Sequence, residues 1–326
     1  MRMLVLAVAL IACKHEEPAK LVVENKAKVP LVVPDGGAPD PWNAPTPVSD
    51  TLSFAERAKL ANDACPSVTG AFFFEVTKNG KTSHILGTRH ISVGLAKFPP
   101  VVADTIDHAS QVVFEIAPDD ASGVTHPPEH LKEKLGDKDW SHFQDLVGKP
   151  TADGLEVGEP TSATLQMMLL YEDISNTLES QIQARATTHK IVMTGLETSA
   201  FQDNVLAKLL DFRMLKATIE TTKDRAEIQK DSHDDLAQYC AGTDSSPGMD
   251  DETRTKMLSA GYTKAELDEA DEILVYKRDA DWIPKLSKLF EQDNVFVAVG
   301  ADHLIGPRGV IALMEKQGFT TKRITK

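Results

Sequence analysis

Toward its carboxyl end the chain carries the apolar run Val295-Phe296-Val297-Ala298-Val299, closed by Gly300 and followed by Ala301-Asp302-His303. The run is short, rich in β-branched residues, free of helical period and bounded by Asp293-Asn294, so it predicts a buried strand. Pro307 and Gly309 then open a helical segment to Lys316. The same order recurs far upstream. Ser83-His84-Ile85-Leu86 leads into Gly87, two further residues and His90. Two strands thus end in glycine, two residues, histidine, and α/β proteins place their sites at such carboxyl ends.

The rest of the pattern fills in around these two stretches. Leu52 to Ala64 predicts a helix with Ser53 and Glu56 at capping-box spacing. An aromatic strand over Gly70–Val76 and the Asn79-Gly80 pair predict a hairpin returning through Ser83–Leu86. Pro99–Ala109 predicts a helix, Gln111–Ile116 a strand with Glu115 inside it, and Thr125–Gly148 a set of short helices. From Thr161 to Lys190 the period is helical. Ile191-Val192-Met193 predicts a short strand that breaks at Gly195, and Ser199–Gln238 is helical and highly charged. Thr263 and Glu266 form a second capping box opening a helix through Leu274, with a further helix over Trp282–Phe290 and a closing strand over Gly318–Ile324. Strands near both ends with helices between predict an α/β (α+β) fold. It has a mixed central sheet flanked by helices and a mostly helical insertion over about 160–290.

Charge and the amino terminus narrow the setting. A net charge of −14 argues against nucleic acid or an anionic membrane surface as partner, since both require a basic face. No apolar run reaches the roughly 18 residues that span a bilayer. Residues 1–12 read as a signal peptide, and Leu10-Ile11-Ala12-Cys13 resembles a bacterial lipoprotein signal, with lipid carried on Cys13. An ordinary cleaved signal or a buried cysteine are the other readings. Residues 13–50 hold Pro18, Pro30, Pro34, Pro39, Pro41, Pro45 and Pro47 and predict an extended tether. The folded domain then covers 51–326, held outside the cytoplasm at the bacterial cell envelope, on the periplasmic face of a membrane. An exported setting permits a Cys65–Cys240 disulfide, with two buried free thiols as the alternative.

Chemistry enters through His90 and His303, which two strand ends can bring side by side as the start of a metal site. A turn or cap histidine is the plain alternative for each. A third ligand is needed, and Glu115 is the candidate. A carboxylate inside an apolar strand costs several kcal/mol unless something positive faces it, with Arg89 and Lys97 the available cations. Glu197, after the short strand, is a candidate general base or orienting group, or a carboxylate favoured at a helix start. Arg278 is a candidate for oxyanion stabilisation or substrate anchoring, or for a surface pair with Glu272 or Asp281. Asp302 is a candidate orienter of a histidine, or a helix-start residue. His126, His130, His142, His189 and His233 have no paired spacing, and no His-Glu-x-x-His, Gly-x-Ser-x-Gly, phosphate-binding glycine loop or Cys-x-x-Cys is present.

Five stretches together carry a resemblance: Ser83–His90, Val113-Phe114-Glu115, Gly195–Thr198 with Gln202, Arg278-Asp279, and Val299–Gly309. In this order, from about Phe72 to Ile324, the chain is similar to the TraB/GumN family, which includes the TIKI proteases. The resemblance implies an erythromycin-esterase-like α/β fold. For TIKI-type members it implies a divalent-metal-dependent peptidase built on two motif histidines and a strand glutamate, here His90, His303 and Glu115. Imidazole and carboxylate ligands suit Zn, Mn or Co, and the partner would be a peptide or protein substrate. The alternative is a non-catalytic peptide- or metal-binding envelope module of the same fold. The chain departs from its relatives at Arg89, where they carry an apolar residue, and at Ile116-Ala117, where many carry a second acid.

Overall fold

Asn79 and Gly80 both take positive φ, 53° and 76°, the combination that suits a two-residue turn between twisted antiparallel strands. They join β1 (Phe73–Lys78) to β2 (Lys81–Thr88), paired from Phe73↔Leu86 to Lys78↔Lys81. This computed structural model describes residues 52–175, 177–243 and 247–325. The stretches read as a signal peptide, a lipid site at Cys13 and a tether to residue 50 lie outside the described residues.

The central sheet adds β3 (Gln111–Ile116), β6 (Val192–Glu197), β7 (Val295–Gly300) and β8 (Thr320–Arg323), while β4 (Glu129–His130) and β5 (Val157–Gly158) pair separately. Its order is β6-β3-β7-β2-β1-β8. β6, β3, β7 and β2 are parallel, and β1 runs against β2 and β8. The fold is therefore mixed α/β, with helices flanking one mixed six-stranded sheet. Val295–Val299 is buried throughout, as a strand in the interior of a covered parallel sheet must be. The parallel strands deliver their carboxyl ends to a single edge.

Both capping boxes form, at Ser53–Glu56 and Thr263–Glu266. The short helices expected over 125–148 are present as two, within Leu131–Val147, that meet at a kink at Gly136, where φ is 75°. Elsewhere the local reading needs correction. The helical stretch 161–190 is two helices, Pro160–Met168 and Leu178–Thr188. Residues 160–290 are mostly helical, and within them the chain returns to the sheet as β6, where a short strand was expected. β6 does not break at Gly195 but runs through it. A Cβ there would stand 2.3 Å from the Ala117 backbone nitrogen, so the glycine admits the chain leaving β3 and does not end a strand.

Cys65 and Cys240 are joined as a disulfide with their Cα atoms 5.9 Å apart. Both are buried. The bond ties the end of helix Phe54–Ala64 to the end of helix Arg225–Ala241.

Because the atom opposite Gly195 is backbone and cannot swing aside, Gly195→Ala is expected to lower the unfolding free energy by about 2–3 kcal/mol. Denaturant titration of the two proteins measures it.

Candidate functional site

Three adjacent strands build the site. Glu115 lies on β3, His90 follows β2 by two residues, and His303 ends the single 3₁₀ turn Ala301–His303 after β7. The two glycine–histidine motifs pack against each other. A Cβ on Gly87 would meet the Ala301 Cα at 2.9 Å and the Phe72 Cβ at 2.8 Å, so the first motif's glycine makes room for the second motif's turn.

Glu115 is 6% exposed and fully bonded. Its Oε1 accepts the Gly300 amide at 2.7 Å, and its Oε2 accepts Arg278 and Gln202, each at 2.8 Å. Burial pushes this carboxyl up. The Arg278 guanidinium, both imidazoles and the Gly300 amide outweigh burial and hold it at about 2. The counter-charge is thus Arg278. Arg89 instead pairs with Glu172 and Asp235, and Lys97 donates to backbone carbonyls. Arg278 is not on the surface with Glu272, which binds Arg308. It is 3% exposed and also donates to Glu197 at 2.6 Å and 3.2 Å. Gln202 and Trp282 bond Glu197 as well, at 2.5 Å and 3.2 Å. Arg278 therefore bridges two carboxylates.

The chain before Arg278 is wound as a π-helix over Glu272–Tyr276, between helices Lys264–Asp271 and Lys277–Leu289. Such turns add a residue to a helix and recur at functional sites. Arg278 Nη1 donates to the Leu274 carbonyl in that turn at 2.9 Å. In the next turns Asp279 and Trp282 also face inward.

The histidines show one arrangement twice. His90 Nδ1 donates to Glu179 Oε1 at 2.6 Å, and His303 Nδ1 donates to Asp279 Oδ1 at 2.5 Å. The orienter of His303 is therefore Asp279 and not Asp302. With Nδ1 engaged, Nε2 is the free end of each ring. Among the described residues neither Nε2 has a hydrogen-bond partner, and both are buried. Each points toward the same atom: Glu115 Oε1 is 4.0 Å from His90 Nε2 and 3.9 Å from His303 Nε2. Trp282 packs on the His303 ring at 4.5 Å between centroids. Burial disfavours charge on His90, but Glu179 and Glu115 outweigh it and raise its pKa. Asp279 is pushed up by burial, against the pull of His303.

Glu179 and Asp279 carry no role in the sequence reading. Asp279 stands beside Arg278 in a mixed-charge helix, a weak signal. Glu179 is one carboxylate in a helical stretch, and only its bonds to Thr88 and His90 at the exit of β2 give it meaning. The site is closed to solvent: His90 is 2% exposed and His303 is fully buried.

Chemically, this is a pocket of cation-binding character. Of four carboxylates, Glu115 and Glu197 pair with the Arg278 guanidinium, while Glu179 and Asp279 pair with the His90 and His303 rings. Buried negative charge needs compensation, which protonated imidazoles or a metal ion would supply. Two imidazole nitrogens with carboxylate-anchored far sides and one carboxylate oxygen are the right donors for a divalent ion. Tetrahedral ligands at zinc stand about 3.4 Å apart, so these donors must close by roughly half an ångström. Among the described residues, accordingly, no three or more His, Cys, Asp or Glu already stand as a metal-holding group.

A family model described as the TraB/PrgY/gumN family matches residues 72–323. No curated protein and no solved structure matches the chain.

Removing the shared guanidinium leaves two buried carboxylates unpaired. Arg278→Met is expected to cost about 3–5 kcal/mol near neutral pH, read by denaturant unfolding. Glu115 also sets an acid dependence. Its folded-state pKa of about 2 lies below the unfolded value of about 4.3, so the unfolded chain binds more protons between them. The stabilisation is complete above about pH 4.3 and fades as pH falls toward 2. Over that window the stability of Glu115→Gln should fall less steeply than that of the native protein.

Proposed function

We propose that this chain, which belongs to the TraB/PrgY/gumN family, is a divalent-metal-dependent hydrolase acting on peptides at the cell envelope. The observation that carries the reading is the pair of partnerless buried Nε2 atoms facing one Glu115 oxygen. Two buried ring nitrogens with no hydrogen-bond partner from the described residues are costly, and a cation is a ligand that this donor set accepts. His90, His303 and Glu115 would hold it, with Zn, Mn or Co all compatible. When bound, the ion would supply Lewis acidity and an acidified water.

The chain's own groups divide the remaining work. Glu179 and Asp279 keep a proton on each Nδ1 and so keep each Nε2 lone pair available. Arg278 holds Glu115 ionised and in place. Glu197, 7% exposed at its side chain, is the carboxylate next in reach and would take a proton as general base once a substrate displaces part of its Arg278 contact. Freed from that contact, the guanidinium would meet developing negative charge on a scissile carbonyl.

A second reading is a binding module of the same fold without turnover. It is favoured by the closure of the site and by the complete engagement of Glu115 and Glu197 with Arg278, Gln202, Gly300 and Trp282. The lipid anchor on Cys13 and an envelope location are part of the same proposal. They agree with the disulfide and with the lack, among the described residues, of a helix long and apolar enough to cross a membrane.

Stripping the purified protein with a chelator should abolish cleavage in a peptide library, and Zn, Mn or Co should restore it. His90→Ala and His303→Ala should each bind metal at least about 100-fold more weakly and lose turnover. Metal-independent capture of a peptide without product would select the second reading.

A further inference from the structure

Helix Arg225–Ala241 lies behind the strand exit that carries His90, and one of its faces reaches that exit repeatedly. Ser232 donates to Glu172 at 2.7 Å, Asp235 accepts from Arg89 at 3.2 Å, and Tyr239 donates to the Gly87 carbonyl at 2.8 Å. Positions three and seven apart share a helix face, so these are a single row of contacts. Their targets, Gly87 and Arg89 with the Glu172 that Arg89 grips, flank His90.

The exit itself is pinned at almost every residue. Gly87 is held by Tyr239. Thr88 Oγ1 and His90 Nδ1 both donate to Glu179 Oε1 at 2.6 Å. Arg89 makes a two-point pair with Glu172 at 2.9 and 2.8 Å. Ser92 holds a left-handed backbone, φ 67°, unfavourable for serine. Its hydroxyl donates to Glu172 at 2.6 Å, and its amide donates to the Asp173 carbonyl at 3.0 Å. A strained turn of this kind persists only where its surroundings dictate it.

The helix is in turn fixed at its carboxyl end. Cys240 is bonded to Cys65, and its carbonyl accepts the Thr69 and Gly70 amides at 2.9 and 3.1 Å. The disulfide closes over residues 175 positions apart, so it fixes a contact that chain connectivity alone would not.

We infer that Tyr239, Asp235 and Ser232 are positioning residues, and that the disulfide-stapled helix bearing them is a clamp that aims His90 at Glu115. The inference rests on the reading of His90 as a site residue. Forming the disulfide removes two electrons and two protons from Cys65 and Cys240. A thiol–disulfide oxidant accepts them and leaves as its dithiol. The reduced chain therefore has the helix but not the staple, and its His90 is not aimed.

The test follows the His90 ring directly, in full-chain protein with ¹⁵N-labelled histidine and the His90 signals assigned through His90→Gln. Tyr239→Phe removes one hydroxyl and should keep the fold by circular dichroism. It should shift the His90 imidazole signals, leave those of His303 in place, and weaken cobalt(II) binding about tenfold. The variant with both Cys65→Ser and Cys240→Ser should displace the same His90 signals. A folded Tyr239→Phe protein with native His90 signals overturns the clamp, and a folded double-serine protein with native signals overturns the staple. Should the double-serine chain not fold, Tyr239→Phe decides alone. Native protein that fails to bind cobalt would count against the metal reading, while the imidazole signals still judge the clamp.

Discussion

A carboxylate buried in the middle of an apolar strand is the constraint around which this molecule is arranged. Glu115 cannot sit at the heart of a parallel sheet without positive charge and hydrogen bonds directed at it. Each of the elements that reach it is accounted for by that requirement. The Gly300 amide arrives at the end of β7. Gln202 arrives on the first turns of helix Ser199–Leu209. Arg278 arrives through a π-turn. Arg278 then draws in Glu197, and Glu197 draws in Trp282, whose ring covers His303. Among the described residues the Nε2 nitrogens of His90 and His303 have no hydrogen-bond partner, and neither do the second oxygens of the carboxylates that hold the two rings, Glu179 Oε2 and Asp279 Oδ2. Both nitrogens face the same Glu115 oxygen, and it is on that convergence that the proposed metal site rests.

The histidines owe their direction to a second layer. Two carboxylates from different elements, Glu179 and Asp279, each seize an Nδ1 and turn the opposite nitrogen toward Glu115. The two sides are not equivalent. Asp279 is pushed toward the protonated form by burial, whereas burial at Glu179 is outweighed by His90 and its donors, which lower its pKa. His90 is further braced by a buried guanidinium, Arg89, and by a disulfide-linked helix. His303 is braced by an aromatic ring and a short 3₁₀ turn. One histidine is therefore held by charge and a covalent bond at a distance, and the other by close packing.

Closure gives the site a further property. With His303 fully buried and Arg278 3% exposed, anything larger than a small ion reaches the donors only after side chains part. The contacts best suited to part are those a substrate can replace in kind. Under the proposed hydrolase reading the Glu197–Arg278 pair would be one, since a carbonyl oxygen could take over the guanidinium as the carboxylate swings away.

Much of the fold was legible in the chain. The period of the strands, the Asn79-Gly80 turn and both capping boxes are local properties, set within a few residues by backbone sterics and hydrogen bonding. They formed as expected. The paired glycine–histidine motifs marked the residues that gather at the sheet edge, because a strand end followed by a glycine turn fixes where the next side chains go. Errors arose where distant backbone decided the outcome. Gly195 looked like a strand end, but it is the gap through which the chain at Ala117 passes. The partner of Glu115 lay 163 residues away, so nearby Arg89 and Lys97 were the wrong choices. The orienting carboxylate Glu179 and the clamp residue Tyr239 had no local signature, and Asp279 had only its place beside Arg278. The sequence by itself determined which residues have the chemistry of a site and which strands carry them. Only the tertiary structure decided which charges neutralise one another and which nitrogens are left bare, because those depend on which segments a parallel sheet and its crossover helices bring side by side.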